Sequence, residues 1–264
     1  MRTSMNNQLH ISVVSHGQGE LVHLLLQDIQ KYCGGLALQL TLTLNIPEIL
    51  SFDPTSFSFP VHILENSLPK GFGVNHNQAY RYGVEKYPCK YFCVINPDVR
   101  FKGDVFSPLI SALQEPGSHG VIAPRVVNLT GELEDSVRAL PTPFSILTKA
   151  LGISSKNIYE QDEQRFFPDW VAGMFMLFPE EVFSAAGGFD EHFFLYYEDV
   201  DFCCRLRLLG YDVVVDPATV VMHDAQRASH RNLRYLRWHV SGAIRFFLSP
   251  VFAASLWRKW TGKS

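Results

Sequence analysis

Five carboxylates crowd the segment GGFDEHFFLYYEDVD between Gly187 and Asp201, set around the apolar run FFLYY. Partial burial makes an ionised carboxylate costly, so acids beside such a run call for a specific environment. A glycine pair, a bulky apolar stretch and then Glu198-Asp199 opening a helix describe a carboxylate held in a shaped pocket, which is how a general base is built. Acidic capping of a helix N-terminus accounts for the same residues without chemistry. Asp201 has a structural explanation, because Arg205 stands four residues on, at helix-surface spacing. Asp199 is the expected base, with Glu198 as a support or acceptor contact.

Two further groups carry metal-ligand chemistry. Asn96-Pro97-Asp98 follows the buried run YFCVI, so Asp98 stands at the end of a strand. A hard divalent cation such as Mg²⁺ or Mn²⁺ takes oxygen ligands, often only one or two carboxylates with phosphate oxygens completing the shell. Asp98 suits that role for a nucleotide diphosphate, although Pro and Asp also make plain turns. VVMHD ends another apolar run with His223, whose imidazole can complete the shell, with Asp224 nearby to orient it. The loop PKGFGVNHNQA places Gly71 and Gly73 beside a helix start, where glycines permit close backbone approach to a phosphate or ribose. Asn75 and Asn77 serve equally as helix caps.

These residues need a frame. Leu9–Ser15 reads as a strand, Glu20–Tyr32 as a helix stopped by Gly34-Gly35, and Leu36–Leu44 as a second strand. Asn75–Lys86 reads as a helix and Tyr91–Ile95 as a fully apolar strand. This alternation predicts a parallel sheet with flanking helices, whose ligand sits at the carboxyl ends of the strands. Ser15 and Asn96-Pro97-Asp98 both fall there. Farther on, Val105–Gln114 and Pro143–Leu151 read as helices and Trp170–Phe178 as one strand. Glu180–Ala186 and Asp199–Leu209 read as helices, Asp212–Val215 and Thr219–Met222 as strands, and Ser229–Phe247 as a basic, aromatic helix.

Composition bounds the class. At 264 residues, 47% hydrophobic and 19% charged, the chain is expected to fold as one large domain, residues 1–225, with a C-terminal segment, 226–264. After Asp224 there is no acid, while eight Arg and Lys follow, so residues 1–224 carry −11 of a net charge of −3. The five cysteines show no paired CxxC spacing and are expected to be reduced thiols. The N-terminal MRTSMNNQLH lacks a signal-peptide apolar region. The stretch 246–257 is shorter than the ~20 apolar residues that a bilayer span requires.

Taken in order, VVSHG, PKGFGVNHNQA, FCVINPDV, DWVAGMFML and GGFDEHFFLYYEDVDFCCRLRLLGYDVVVDPATVVMHD strongly resemble the inverting family-two glycosyltransferases of GT-A type, above all bacterial rhamnosyltransferases of surface polysaccharides. The resemblance covers residues 9–224. It implies an α/β fold of GT-A type, a Rossmann-like mostly parallel sheet flanked by helices, with the C-terminal basic and aromatic helices as an appendage. It implies a nucleotide-sugar donor, dTDP-L-rhamnose, with Mg²⁺ or Mn²⁺. Asp98 then inherits the metal role, His223 completes the site and Asp199 is the catalytic base. Ser15, Asn45, Gly71, Phe72, Gly73, Asn77 and Asn96 match nucleotide-contacting positions. Asn96 replaces the first acid of the family's metal motif, so fewer carboxylates hold the cation. Where relatives often have Asp-Asn after the second strand, this chain has Leu44-Asn45.

The tail SHRNLRYLRWHVSGAIRFFLSPVFAASLWRKW mixes cations with Trp238, Phe246, Phe247, Trp257 and Trp260. That composition suits an anionic membrane surface, and it equally suits a packing or dimer helix. With a polyprenyl-diphosphate-linked saccharide as acceptor, the expected location is cytoplasmic, on the inner face of the membrane. Nucleic acid is not an expected partner, because the rest of the chain is acidic. Competing readings are a transferase using a UDP-hexose, a non-catalytic nucleotide-sugar-binding subunit, and a nucleotidyltransferase. The last needs a basic phosphate-activating loop after the first strand, where HGQGE stands instead.

Overall fold

Fully apolar runs that cannot face water on either side pair into the centre of an eight-stranded sheet in a computed structural model, which describes residues 8–150, 164–223 and 233–261. The strands are β1 (Leu9–Ser15), β2 (Leu38–Leu44), β3 (Val61–Glu65), β4 (Tyr91–Ile95), β5 (Val99–Arg100), β6 (His119–Val127), β9 (Phe175–Pro179) and β10 (Asp212–His223), in the order β3-β2-β1-β4-β9-β6-β10-β5. β7 (Val137–Arg138) and β8 (Trp170–Val171) form a separate ribbon. Within the large sheet only β9 and β5 run against their neighbours. The carboxyl ends of β1, β2, β4 and β10 therefore share one edge with the start of β9.

The helices are α1 (Gly19–Tyr32), α2 (Phe72–Lys86), α3 (Phe106–Leu113), α4 (Pro143–Ala150), α5 (Glu180–Ala185), α6 (Glu198–Leu208), α7 (Leu233–Phe247) and α8 (Pro250–Thr261). α1 buries Val22, Leu25, Leu26 and Ile29, the spacing of one helix face. Two apolar clusters form the core. One gathers α1, α3 and one face of the sheet; the other gathers α5 and α6 with Phe246 of α7 and Phe252 of α8. The C-terminal helices are thus packed into the second cluster rather than standing off it.

Four differences from the expected elements bear on the site. α2 begins at Phe72, so Gly71 is its N-cap and Phe72 and Gly73 lie in its first turn. The run 170–178 is not one strand but β8 and β9, interrupted at Ala172–Met174. The two expected strands after Gly210 are one, β10, with a register shift between Asp216 and Val220. The tail is two helices, α7 and α8, with a 62° bend between them. Among the described residues no single helix is long and apolar enough to cross a membrane.

All five cysteines are free. Burial raises the pKa of each above the ordinary thiol range, which suits inert thiols.

Candidate functional site

The break in the 170–178 run is what joins the candidate residues. β4 and β9 pair antiparallel, Ile95 opposite Phe175, and the backbone N–H of Asn96 donates to the Met174 carbonyl at 2.9 Å. One residue earlier, the Gly173 N–H donates to Oδ2 of Asp199 at 3.1 Å. The Asn96-Pro97-Asp98 turn and the Asp199 carboxylate are therefore fastened to consecutive residues of one short segment. On the other side of the turn, Val99 pairs with His223, and His223 Nε2 lies 3.2 Å from Asp98 Oδ2. Asp98 and His223 are adjacent, as expected, and Asp199 is tied to the same edge of the sheet. Asp224 lies outside the described residues.

The fit to a divalent cation can be tested on the side chains. Asp98 Oδ1 is buried with no hydrogen-bond partner, an acceptor of the kind that a cation satisfies. Together with an imidazole it offers a two-residue oxygen and nitrogen set. No group of three or more His, Cys, Asp and Glu able to hold a metal occurs among the described residues. Such a set suits Mg²⁺ or Mn²⁺ that takes its remaining ligands from phosphate and water, and does not suit a closed structural site.

Glu198 and Asp199 differ sharply in surroundings. Glu198 is buried, its Oε2 has no partner, and burial first, then the Asp199 charge, raises its pKa. Asp199 is partly exposed; both of its oxygens accept backbone N–H groups, Oδ2 from Gly173 and Oδ1 from Val200 at 2.8 Å. Burial raises its pKa too, opposed by those two donors and by the Arg138 guanidinium. The ordered reading is a Glu198 that keeps its proton and an Asp199 that ionises first. Each Asp199 oxygen has a second lone pair beyond its N–H bond, so the carboxylate can still take up a proton.

The turn that delivers this pair is strained. Tyr196 and Tyr197 have φ of 74° and 73°, a left-handed conformation rare for bulky residues. Such residues cost about 1–3 kcal/mol each and persist only where packing over-determines them. α7 supplies that packing: a Cβ on Gly242 would stand 2.9 Å from the Tyr196 carbonyl, and the Phe246 ring lies 5.8 Å from that of Tyr197.

Several expected nucleotide contacts have other employment. Asn77 donates to the Phe189 carbonyl and accepts the Phe189 N–H, at 2.8 and 2.9 Å, and also donates to Glu191, so its amide is consumed in clamping the acidic segment to α2. A Cβ on Gly71 would lie 2.7 Å from the Phe194 carbonyl, and one on Gly73 would lie 2.8 Å from Phe189 Cβ. On the side where a Cβ would stand, the close approach that these glycines allow is to the chain's own 189–194 segment. Phe72 packs its ring against Gly173, behind the residue that holds Asp199. Asn45 bonds Lys70 through both ends of its amide and accepts from Asn66, while Asn66 reaches Asn75. This network pins the 66–71 loop beside Ser15, whose carbonyl receives the Asn45 N–H and whose Oγ receives that of Gln18.

Three residues escaped the sequence reading. Glu48 accepts the Gly17 and Gly19 N–H groups and closes the loop after β1. Arg138, bidentate to Asp135 and stacked over Trp170, is the cation whose charge Asp199 feels. Gly173 had a legible signal, a glycine inside an apolar strand pattern, which marks a break or a close approach.

No family model matches the chain. Rhamnosyltransferase WbbL of Escherichia coli (strain K12) is 32% identical over 186 residues, 67% of this chain and 69% of that protein. The N-acetylglucosaminyl-diphospho-decaprenol L-rhamnosyltransferase of Mycobacterium tuberculosis (strain ATCC 25618 / H37Rv) is 26% identical over 151 residues, 53% of this chain. The chain spans 48% of that relative's length. Among solved structures, the mannosyltransferase PcManGT from Pyrobaculum calidifontis, in complex with GDP-Man and Mn²⁺, aligns with a TM-score of 0.57. It is 15% identical, covering 97% of this chain and 76% of that one, and it is similar in fold alone.

Proposed function

This chain belongs to the GT-A glycosyltransferases related to rhamnosyltransferase WbbL, and from that premise we propose that it is an inverting rhamnosyltransferase. The donor is dTDP-L-rhamnose and the acceptor a polyprenyl-diphosphate-linked saccharide, handled at the cytoplasmic face of the membrane in surface-polysaccharide synthesis. The observation that carries the chemistry is the fastening of Asp199 and the Asn96-Pro97-Asp98 turn to Gly173 and Met174. The decaprenol-linked substrate in the name of the M. tuberculosis relative supports a lipid-linked acceptor.

Asp199 takes the proton from an acceptor hydroxyl as that oxygen attacks the anomeric carbon, opposite the departing diphosphate. One displacement inverts the anomeric centre, and the electron pair of the broken bond leaves on the nucleotide. Asp98 and His223 would hold Mg²⁺ or Mn²⁺, which when bound offsets the negative charge growing on the leaving group. Glu198, neutral behind Asp199, keeps a second negative charge away from the base. Ser15 and the Asn45–Lys70 network shape the nucleotide side of the cleft.

The test is a transfer assay with purified protein, a polyprenyl-diphosphate-linked N-acetylhexosamine and a panel of nucleotide sugars. Transfer from dTDP-L-rhamnose with inverted product anomer, lost on chelation and restored by Mn²⁺, is expected. Transfer from a UDP-hexose alone would replace the donor, and binding without turnover would favour a non-catalytic subunit.

A further inference from the structure

The residues of α7 sort into two opposed faces. Trp238, Gly242 and Phe246 point inward: Trp238 stacks on Phe194 at 4.5 Å, Gly242 touches Tyr196 and Tyr197, and Phe246 is fully buried. Leu233, Leu236, Val240, Ile244 and, just past the helix, Leu248 point outward, three or four residues apart, each between 47% and 83% exposed. Arg234, Arg237 and Arg245 are exposed along one flank of that stripe. On α8, Trp257 and Trp260 are also exposed, at 60% and 84%. An aliphatic stripe of this length is costly against water and asks for a cover.

We propose that α7 is an interfacial helix: its outer face lies on an anionic bilayer while its inner face braces the turn that carries Glu198 and Asp199. Charge selects this occupant over a second copy of the chain. A two-fold interface through the stripe would set the exposed Arg234 and Arg237 of one copy against the same residues of the other, and α7 itself carries no acid to relieve them; Asp190, whose charge Arg245 feels, is already bonded to His192. A leaflet of anionic lipid supplies both an apolar bed for the aliphatic chains and phosphates for the flanking cations. Because Gly242 and Phe246 touch the catalytic turn directly, the bilayer then fixes the height of the carboxylates above the headgroups. That last consequence rests on the lipid-linked acceptor proposed above; membrane binding itself does not.

The experiment is flotation of the full chain with phosphatidylcholine vesicles, with and without phosphatidylglycerol, alongside Leu236→Ser/Ile244→Ser and Arg234→Gln/Arg237→Gln variants. The parent chain is expected to float with the anionic vesicles and to be released by high salt. The aliphatic pair should lose at least about tenfold in vesicle partition, the arginine pair should lose its preference for anionic lipid, and both should keep the parent's circular dichroism and donor hydrolysis. A parent chain that stays with the unbound fraction, or a stripe variant that floats as well as the parent, overturns the proposal. So does a parent dimer in solution that the stripe variant dissolves while vesicle binding is absent. Flotation needs no sugar, so a failed transfer assay with intact flotation counts against the donor or acceptor and not against the surface.

Discussion

Replacing Glu198 and Asp199 one at a time by their amides separates a proton acceptor from its neutral neighbour. In Asp199→Asn the amide nitrogen must face the N–H of either Gly173 or Val200, because each oxygen accepts one of them. One hydrogen bond is lost and two donors meet, at a cost of about 1–3 kcal/mol in stability. Loss of a general base lowers turnover by about a hundredfold or more. Glu198→Gln differs on both counts. The Glu198 Oε2 has no partner to lose, and an amide closely matches a carboxyl group that already keeps its proton. Turnover within about threefold of the parent is expected, since Glu198 transfers no proton in this reading.

Stability against pH sharpens the same comparison. The folded chain holds a proton on Glu198 above 4.5, its ordinary value, where the unfolded chain releases it. Parent stability therefore declines as pH rises from that value toward the raised folded one, and Glu198→Gln is spared this loss. The advantage of the variant should grow across that window and then level off, as read by denaturant melts at several pH values. Steady-state turnover at saturating donor, with donor affinity measured separately, completes the assay. An active Asp199→Asn beside an inactive Glu198→Gln would exchange the two roles and refute the reasoning from burial.

Other perturbations test the frame around the pair. Asp98→Ala should weaken Mn²⁺-dependent binding of dTDP at least about tenfold in calorimetry while leaving metal-free nucleotide binding within about twofold, the pattern of a lost cation ligand. Gly71→Ala pushes a methyl group against the Phe193 and Phe194 carbonyls, and a loss of about 1–3 kcal/mol should appear as a melting temperature several degrees lower. Asn77→Ala removes the clamp on Phe189 and Glu191 and should cost about 2–4 kcal/mol, with donor affinity falling only in proportion to unfolding. The acid limb of the turnover profile should lie above the ordinary aspartate range, because burial raises Asp199; a limb within that range would mean that the base stands in water, and one below it that the Gly173 and Val200 N–H groups and Arg138 outweigh burial.

Local pattern was enough for much of this protein. The apolar runs of β1, β2 and β4, the helix spacing of α1 and the turn at Asn96-Pro97-Asp98 each report burial or a chain reversal within a few residues. The Asp201–Arg205 pair, four apart on α6 and 2.7 Å in the structure, is legible for the same reason. What periodicity cannot carry is who stands opposite whom. Asn77 meets Phe189 across 112 positions and Gly173 meets Asp199 across 26, and nothing in the intervening residues encodes either distance. The tail illustrates the same divide. Its cations and aromatic rings are plain in the sequence, yet only packing against the Tyr196–Tyr197 turn decides that Phe246 goes inward and the aliphatic residues go out. Burial is a property of a residue's own neighbourhood, whereas a site is a property of chain ends that the sheet gathers along one edge.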